Sequence, residues 1–411
     1  MTGAGSPLRI AAFRWFLAAR LVAVVGNAVA PIAVAFAVLD LTGSAADLGL
    51  VLAARSVPLV VFLLFGGVVA DRVPRHLVIV AASVVSFASQ AVAATLLLTG
   101  YAQLWQIVAV EAVNGAAFAF TAPAMAGMVP QLVPRDVLQQ ASALGGFVRN
   151  GGAVLGAAFG GILVAALGSG WGVAVDAATF GLGALLLLRV RPPAESGRAD
   201  GAGPAGSVLR DLRDGWREFA SRTWLWVVVL GFSVVNAILA GGWNTLGPVI
   251  ADDTIGRGPW GLVLSAQSVG LLVAMVVMLR LRFRHPLRVG LIGMCAVVPQ
   301  LAVLAVYPTP GALAIGALAG GIGGGLFDVA WETALGTHVP LDRLSRVSAY
   351  DGLGSVVALP VGQVVGGWLG AEFAPRPLVL AGAVVLAVVL AAVLACRPVR
   401  DLPAGDGRLV G

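Results

Sequence analysis

Long apolar runs separated by short polar clusters pattern the whole of this chain. A helix needs roughly 20 apolar residues to cross the hydrocarbon layer of a bilayer, which is about 30 Å thick. Cutting the sequence at its charge clusters and turn residues leaves twelve runs of that kind: 14–39, 47–70, 76–99, 103–127, 137–166, 170–189, 223–249, 259–280, 287–307, 310–336, 344–370 and 376–396. The pattern predicts an all-α integral membrane protein with twelve transmembrane helices. The first run follows basic residues, as a secretory leader would. It continues to about Leu39 and many more runs follow, so it reads as a retained first span.

Polar spacing divides the runs six and six. Residues 1–189 form the first set, 190–222 a Pro- and Gly-rich linker, 223–396 the second set and 397–411 a tail. The early linker has the composition of a flexible connector. Its later part, SVLRDLRDGWREF, places Val208, Leu212, Trp216 and Phe219 at helical spacing, which predicts an amphipathic helix at the membrane surface. The two sets also repeat. Shifted by 206 positions, residues 133–161 fall without gaps on 339–367, with Pro134/Pro340, Asp136/Asp342, Gly156/Gly362, Gly160/Gly366 and Gly161/Gly367 among the identical pairs. Both copies enter the membrane from the same side, so the expected arrangement is two pseudo-symmetric six-helix bundles related by an axis along the membrane normal. Such halves suit alternating access around a midplane site.

Composition agrees with the pattern. Hydrophobic residues make up 59% of the 411 positions and charged ones 11%, against about a quarter charged in a soluble domain. All 26 basic residues are arginine, which fits a GC-rich bacterial genome. With the N-terminus inside, 21 of the 26 arginines fall in cytoplasmic segments, so the positive-inside bias puts both termini in the cytoplasm of a bacterial plasma (inner) membrane. The net charge of +6 comes from clusters between spans, not from a basic face interleaved with aromatics, which argues against nucleic acid. Cys295 and Cys396 lie in apolar runs and His76, His285 and His338 at span ends. No metal ligand set, cofactor motif, ATP-binding loop or nucleophile–base set stands out, and an enzyme is not expected.

Three motifs carry more. The loop after the second run reads GGVVADRVPRH and resembles the major facilitator superfamily signature G-x-L-A-D-R-x-G-R-K, with Gly67, Asp71, Arg72 and Arg75 on its positions. A carboxylate and arginines there can form a charge-assisted clasp, and the resemblance implies a cytoplasmic gate; a topology signal alone is the competing reading. Pro74 replaces the signature's second glycine. From Gly152 the fifth run reads G-x-x-x-G-A-x-x-G-G, similar to that superfamily's fifth-helix antiporter motif, with Ala157 where the motif has proline. Glycines four apart let helix backbones approach closely, so Gly152, Gly156, Gly160 and Gly161, with Gly362, Gly366 and Gly367 in the repeat, are expected at contacts where the halves roll past each other or at close packing within one half. Residues 120–144 resemble a segment of a bacterial exporter branch that includes macrolide-efflux-like and enterobactin-exporter-like proteins, through Pro123, Pro130, Pro134, Arg135 and Leu138.

A central charge in a span costs about 2.5 to 3.5 kcal/mol on insertion scales, so each polar residue there is a functional candidate. The superfamily resemblance implies that the first, fourth, seventh and tenth helices line a cavity. It singles out Asn27, Asn114, Asn236 and Asn244 as lining residues, with Glu111 and Asp328 as proton-coupling candidates. Glu111 could equally be a static ion pair with Arg55 or Arg149. Arg149 has Ser355 as its repeat counterpart, which makes it a candidate cavity residue and partner for a membrane-embedded acid. Asp176 reads as structural, and Arg20 lies near enough to a helix end to snorkel. The expectation is a proton-coupled secondary transporter that exports a small lipophilic molecule; an uptake symporter of the same fold and a non-transporting sensor are the alternatives.

Overall fold

The computed structural model describes residues 6–190, 216–217, 219–281, 283–339 and 341–403. Among these residues, twelve helices are long and apolar enough to cross a membrane. They are α1 Ala11–Thr42, α2 Ala45–Arg72, α3 Arg75–Thr99, α4 Leu104–Ala126, α5 Leu138–Leu167 and α6 Ser169–Leu187, then α7 Thr223–Thr254, α8 Arg257–Arg280, α9 Pro286–Val306, α10 Pro310–His338, α11 Leu341–Glu372 and α12 Pro375–Ala395. No described residue lies in a strand. Helix ends fall within five residues of the ends of the corresponding apolar runs.

The ends obey local chemistry. Gly43 closes α1 at φ 64°, a left-handed conformation that glycine adopts without Cβ strain. Ser44 then caps α2, its hydroxyl accepting from the Asp47 amide at 3.2 Å. Inside α7 the seven residues Leu239–Thr245 are π-helical, and the Thr245 hydroxyl donates to the Ala240 carbonyl at 2.9 Å.

The chain divides into two compact units, 1–202 with 256–265, and 203–255 with 266–411. The first turns of α8 therefore cluster with unit 1. In unit 1, α2 lies along α4, α1 along both α5 and α6, and α3 against α6 and α4. Phe13, Phe16, Met128 and Leu132 form the buried cluster at the cytoplasmic end implied by arginine bias. Asp40, near the end of α1, accepts from Arg257 at 2.6 and 3.0 Å and from the Ser169 hydroxyl at 2.8 Å.

In unit 2, α7 packs on α11 and α12, and α9 on α10 and α12. Phe232 stacks on Phe327 with centroids 3.6 Å apart, and Trp224 meets Trp331 edge-on. Trp216 stacks on Phe219 at 5.8 Å; the rest of the predicted surface helix lies outside the described residues. The 206-residue repeat is visible in how helices touch. A Cβ at Gly115 would collide with the Arg55 carbonyl of α2, and a Cβ at Gly321, 206 positions on, with the Gln267 carbonyl of α8.

The α5 glycines face their own unit. Cβ atoms built on Gly152, Gly156 and Gly160 would strike Val24, Ala28 and Val29 of α1, and Gly161 meets Gly261 in the part of α8 that belongs to unit 1. In unit 2, Gly362 and Gly366 of α11 press on Ala237 and Gly241 of α7; Gly367 is buried on the same helix. For Gly152, Gly156, Gly160, Gly362 and Gly366 these contacts are close packing within one half, whereas Gly161 meets α8, a helix of the second set.

Candidate functional site

Within unit 1, a cavity of about 240 Å³ opens among α1 to α6, lined by Arg20, Val24 and Asn27 of α1, Arg55 of α2, Ile79 and Ser86 of α3, Asn114, Phe118 and Thr121 of α4, Arg149 of α5, and Thr179 and Phe180 of α6. Arg20, Val24 and Asn27 share one face of α1 because four and seven residues bring a helix back to nearly the same side. At 1.5 Å rise per residue, Arg20, Arg149 and Arg55 each lie roughly 15 Å from the start of their helices. The three arginines therefore sit about a third of the way along their helices, not at their ends.

One charge is neutralised inside the bundle. Glu111 of α4 is buried, and its Oε2 lies 3.5 Å from Arg55 Nη1. Its Oε1 accepts from Gln90 Nε2 of α3 at 3.2 Å. Asn114, one turn along α4, donates from Nδ2 to the Val110 carbonyl at 3.0 Å and to the Ser89 hydroxyl at 3.4 Å, leaving its Oδ1 without a partner. Asn27 Oδ1 is likewise buried and unpartnered.

Arg149 does not join Glu111 or any other acid among the described residues, contrary to the partner role the sequence assigns it. It lines the same cavity as Arg20. The Arg20 guanidinium reaches sideways to α5, 3.8 Å from where a Cβ on Gly145 would stand, one turn before Arg149. The small Gly145 leaves room for this side chain in the cavity. Asp176 of α6 is 1% exposed and neither carboxylate oxygen has a hydrogen-bond partner.

The remaining candidates are placed elsewhere. Asn236 of α7 donates to the Ser355 carbonyl of α11 at 3.1 Å, and neighbouring Ser233 to the Gly354 carbonyl at 2.7 Å. Asn244 lies in the π-helical segment with its side chain exposed, and Asp328 of α10 is exposed. A second cavity, about 760 Å³, belongs to unit 2 and has almost wholly apolar walls that include Trp216, Trp226, Tyr350 and Val361. The gate motif spans the α2–α3 turn. Asp71 and Arg72 end α2, and the Arg75 guanidinium packs where a side chain on Gly127 would stand. The side chains of Asp71 and Arg72, and Gly67, lie outside those described.

Sequence reasoning missed Arg20, Ser86, Thr121 and Thr179 as cavity residues. The available signal was the seven-residue spacing from Arg20 to Asn27 on one helical face; the serine and threonines have no counterpart, since both bond helix carbonyls as readily as they line cavities. No group of three or more potential metal ligands occurs among the described residues.

The pattern of a family described as transmembrane secretion effectors matches residues 2–306, and that of the major facilitator superfamily matches 236–408. No curated relative matches the chain by sequence. Among solved structures, the nucleoside transporter NupG superposes with a TM-score of 0.77 at 13% identity, over 93% of this chain and 98% of that one. A bacterial homologue of the human lysosomal transporter Spinster, inward-facing and unoccupied, gives 0.69 at 16% identity, over 95% and 98%. A bacterial homologue of the iron transporter ferroportin, inward-facing, gives 0.69 at 14%, over 95% and 100%. At these identities the likeness is one of fold.

Proposed function

We propose, from the premise that this chain belongs to the transmembrane secretion effector family and has the major facilitator fold, that it exports a small lipophilic compound across a bacterial plasma membrane in exchange for protons. The observation that carries this reading is the unit 1 cavity, with mainly apolar walls and a few polar groups at mid-helix depth. A sugar or phosphate substrate would call for denser polar lining. The exporter-like segment at 120–144 supports the outward direction.

The coupling proton is assigned to Glu111, with Asp328 as the candidate in the other unit. A proton arriving at Glu111 competes with the Arg55 guanidinium for the same carboxylate, so protonation and release of Arg55 are linked. The Asp71, Arg72 and Arg75 motif is assigned to a cytoplasmic gate, with both termini on that side.

Everted vesicles with an imposed proton gradient test the reading against a panel of lipophilic drugs and metabolites. Accumulation of substrate inside the vesicles, collapsing when the gradient is dissipated, is the expected result. Loss from the vesicles instead would assign uptake, binding without movement would assign a sensor, and flux indifferent to pH would remove the proton.

A further inference from the structure

Two arginines share the unit 1 cavity without a counter-charge. Arg20 and Arg149 both line it, and neither has a carboxylate partner among the described residues. Like charges inside the spans repel, and Arg20 is in addition half-buried, so the arrangement is costly as it stands. Of the acids on the helices that form this cavity, Asp176 of α6 is buried without a hydrogen-bond partner and lies under the charges of Arg55 and Glu111, not of this pair. Glu111 is committed to Arg55 and Gln90, Asp40 to Arg257 and Ser169 at the far end of α1, and α5 carries no ionisable side chain besides Arg149. An anion lying between the two guanidiniums would turn the repulsion into two charge-assisted contacts.

The rest of the wall says what the anion is attached to. Val24, Ile79, Phe118, Met125, Phe180 and Leu187 are apolar and would be met by a hydrocarbon or aromatic body. The unpartnered Oδ1 atoms of Asn27 and Asn114 call for a hydrogen-bond donor on that body.

We propose that this cavity binds an amphiphilic organic anion, its acidic headgroup held between Arg20 and Arg149 and its apolar body against α3, α4 and α6. The proposal rests on the export reading only for what happens after binding. Export of an anion is also favoured by an inside-negative potential, about fifty-fold per charge at 100 mV. The acidic group could belong to a free solute or to an anionic phospholipid.

The test uses the full chain in nanodiscs of phosphatidylcholine, with naphthoate and naphthamide as probes matched in shape and differing in charge. The wild type is expected to bind naphthoate about tenfold or more tightly than naphthamide. Arg20→Gln with Arg149→Gln should bring the ratio to about one, whereas Arg20→Lys with Arg149→Lys, which keeps the charge, should preserve most of it. The lysine variant and gel-filtration elution separate loss of charge from loss of fold. A wild type with no preference, whether both probes bind or neither does, overturns the proposal, as does a preference that survives the double glutamine variant. Replacing part of the lipid by phosphatidylglycerol distinguishes the sources: competition with naphthoate supports an anion site filled by a lipid headgroup, and indifference supports a site for a free solute. Flux of naphthoate in proteoliposomes is scored separately, so binding without flux would refute export and leave the anion site standing.

Discussion

Arg55 of α2 and Glu111 of α4 form an ion pair where these two helices lie along each other, Nη1 to Oε2 at 3.5 Å, with the Glu111 side chain 3% exposed and that of Arg55 26%. The asymmetry of burial decides what each substitution does. Removing one member of a buried pair costs about 3–5 kcal/mol because the other charge is left uncompensated. Arg55 can rehydrate and Glu111 cannot. Arg55→Gln is therefore expected to lower the stability of the detergent-solubilised protein by about 3 kcal/mol, and Glu111→Gln by less. The double variant should cost less than the sum of the two, a coupling that a double-mutant cycle of thermal melts reads directly. Strict additivity would mean that the pair contributes nothing.

The same pair bears on coupling. If Glu111 carries the transported proton, Glu111→Gln should export substrate at a rate that no longer responds to a pH gradient, while Asp328→Asn reports separately on unit 2. Measurements in everted vesicles at equal expression decide it, and a gradient response equal to wild type in both variants would place the proton elsewhere.

Spans and motifs were legible for a plain reason. Lipid imposes one hydrophobic length on every helix, so twelve runs could be counted from composition alone, and the repeat from 133–161 to 339–367 exposed the duplication. Which residue partners which was not legible. Arg55, Arg149 and Arg20 are alike in sequence, each a lone arginine in an apolar run, yet only Arg55 meets an acid. What distinguishes them is the approach of α2 to α4, set by Gly66 and Gly115, whose neighbours across the contact are backbone atoms. The α5 glycines were recognisable as a packing stripe, but a stripe does not name its partner helix. Only the fold shows that it is α1 for Gly152, Gly156 and Gly160 and α8 for Gly161.

Asp176 is the buried charge the fold leaves most exposed to cost, with both oxygens unpartnered beside Gly26 and Thr179. The charges that act on it are Arg55 and Glu111, which already neutralise each other. Asp176→Val removes the polar group from an apolar setting and should raise the melting temperature, by an amount equivalent to about 1–3 kcal/mol. A gain in stability accompanied by loss of transport would mark Asp176 as retained for function. A lower melting temperature would show that the carboxyl is structurally satisfied after all.

The glycine stripe makes the sharpest prediction about packing, because open and closed positions alternate along one helix. At Gly156 a Cβ would stand 2.7 Å from both the Ala28 side chain and the Val25 carbonyl, so α1 and α5 must separate to admit alanine. At Gly151 nothing lies within 4 Å. Gly156→Ala is expected to destabilise by about 1–3 kcal/mol, the usual cost of overpacking. Gly151→Ala should be neutral or stabilise by up to about 1 kcal/mol through helix propensity. Gly362→Ala should behave like Gly156→Ala, since Gly362 presses on the Ala237 carbonyl of α7 and the repeat carries the same contact to unit 2. Thermal melts of the three variants in one detergent compare them. Equal melting temperatures would refute the α5–α1 contact, whereas a loss at positions 156 and 362 with none at 151 ties the duplicated glycines to the first helix of each half.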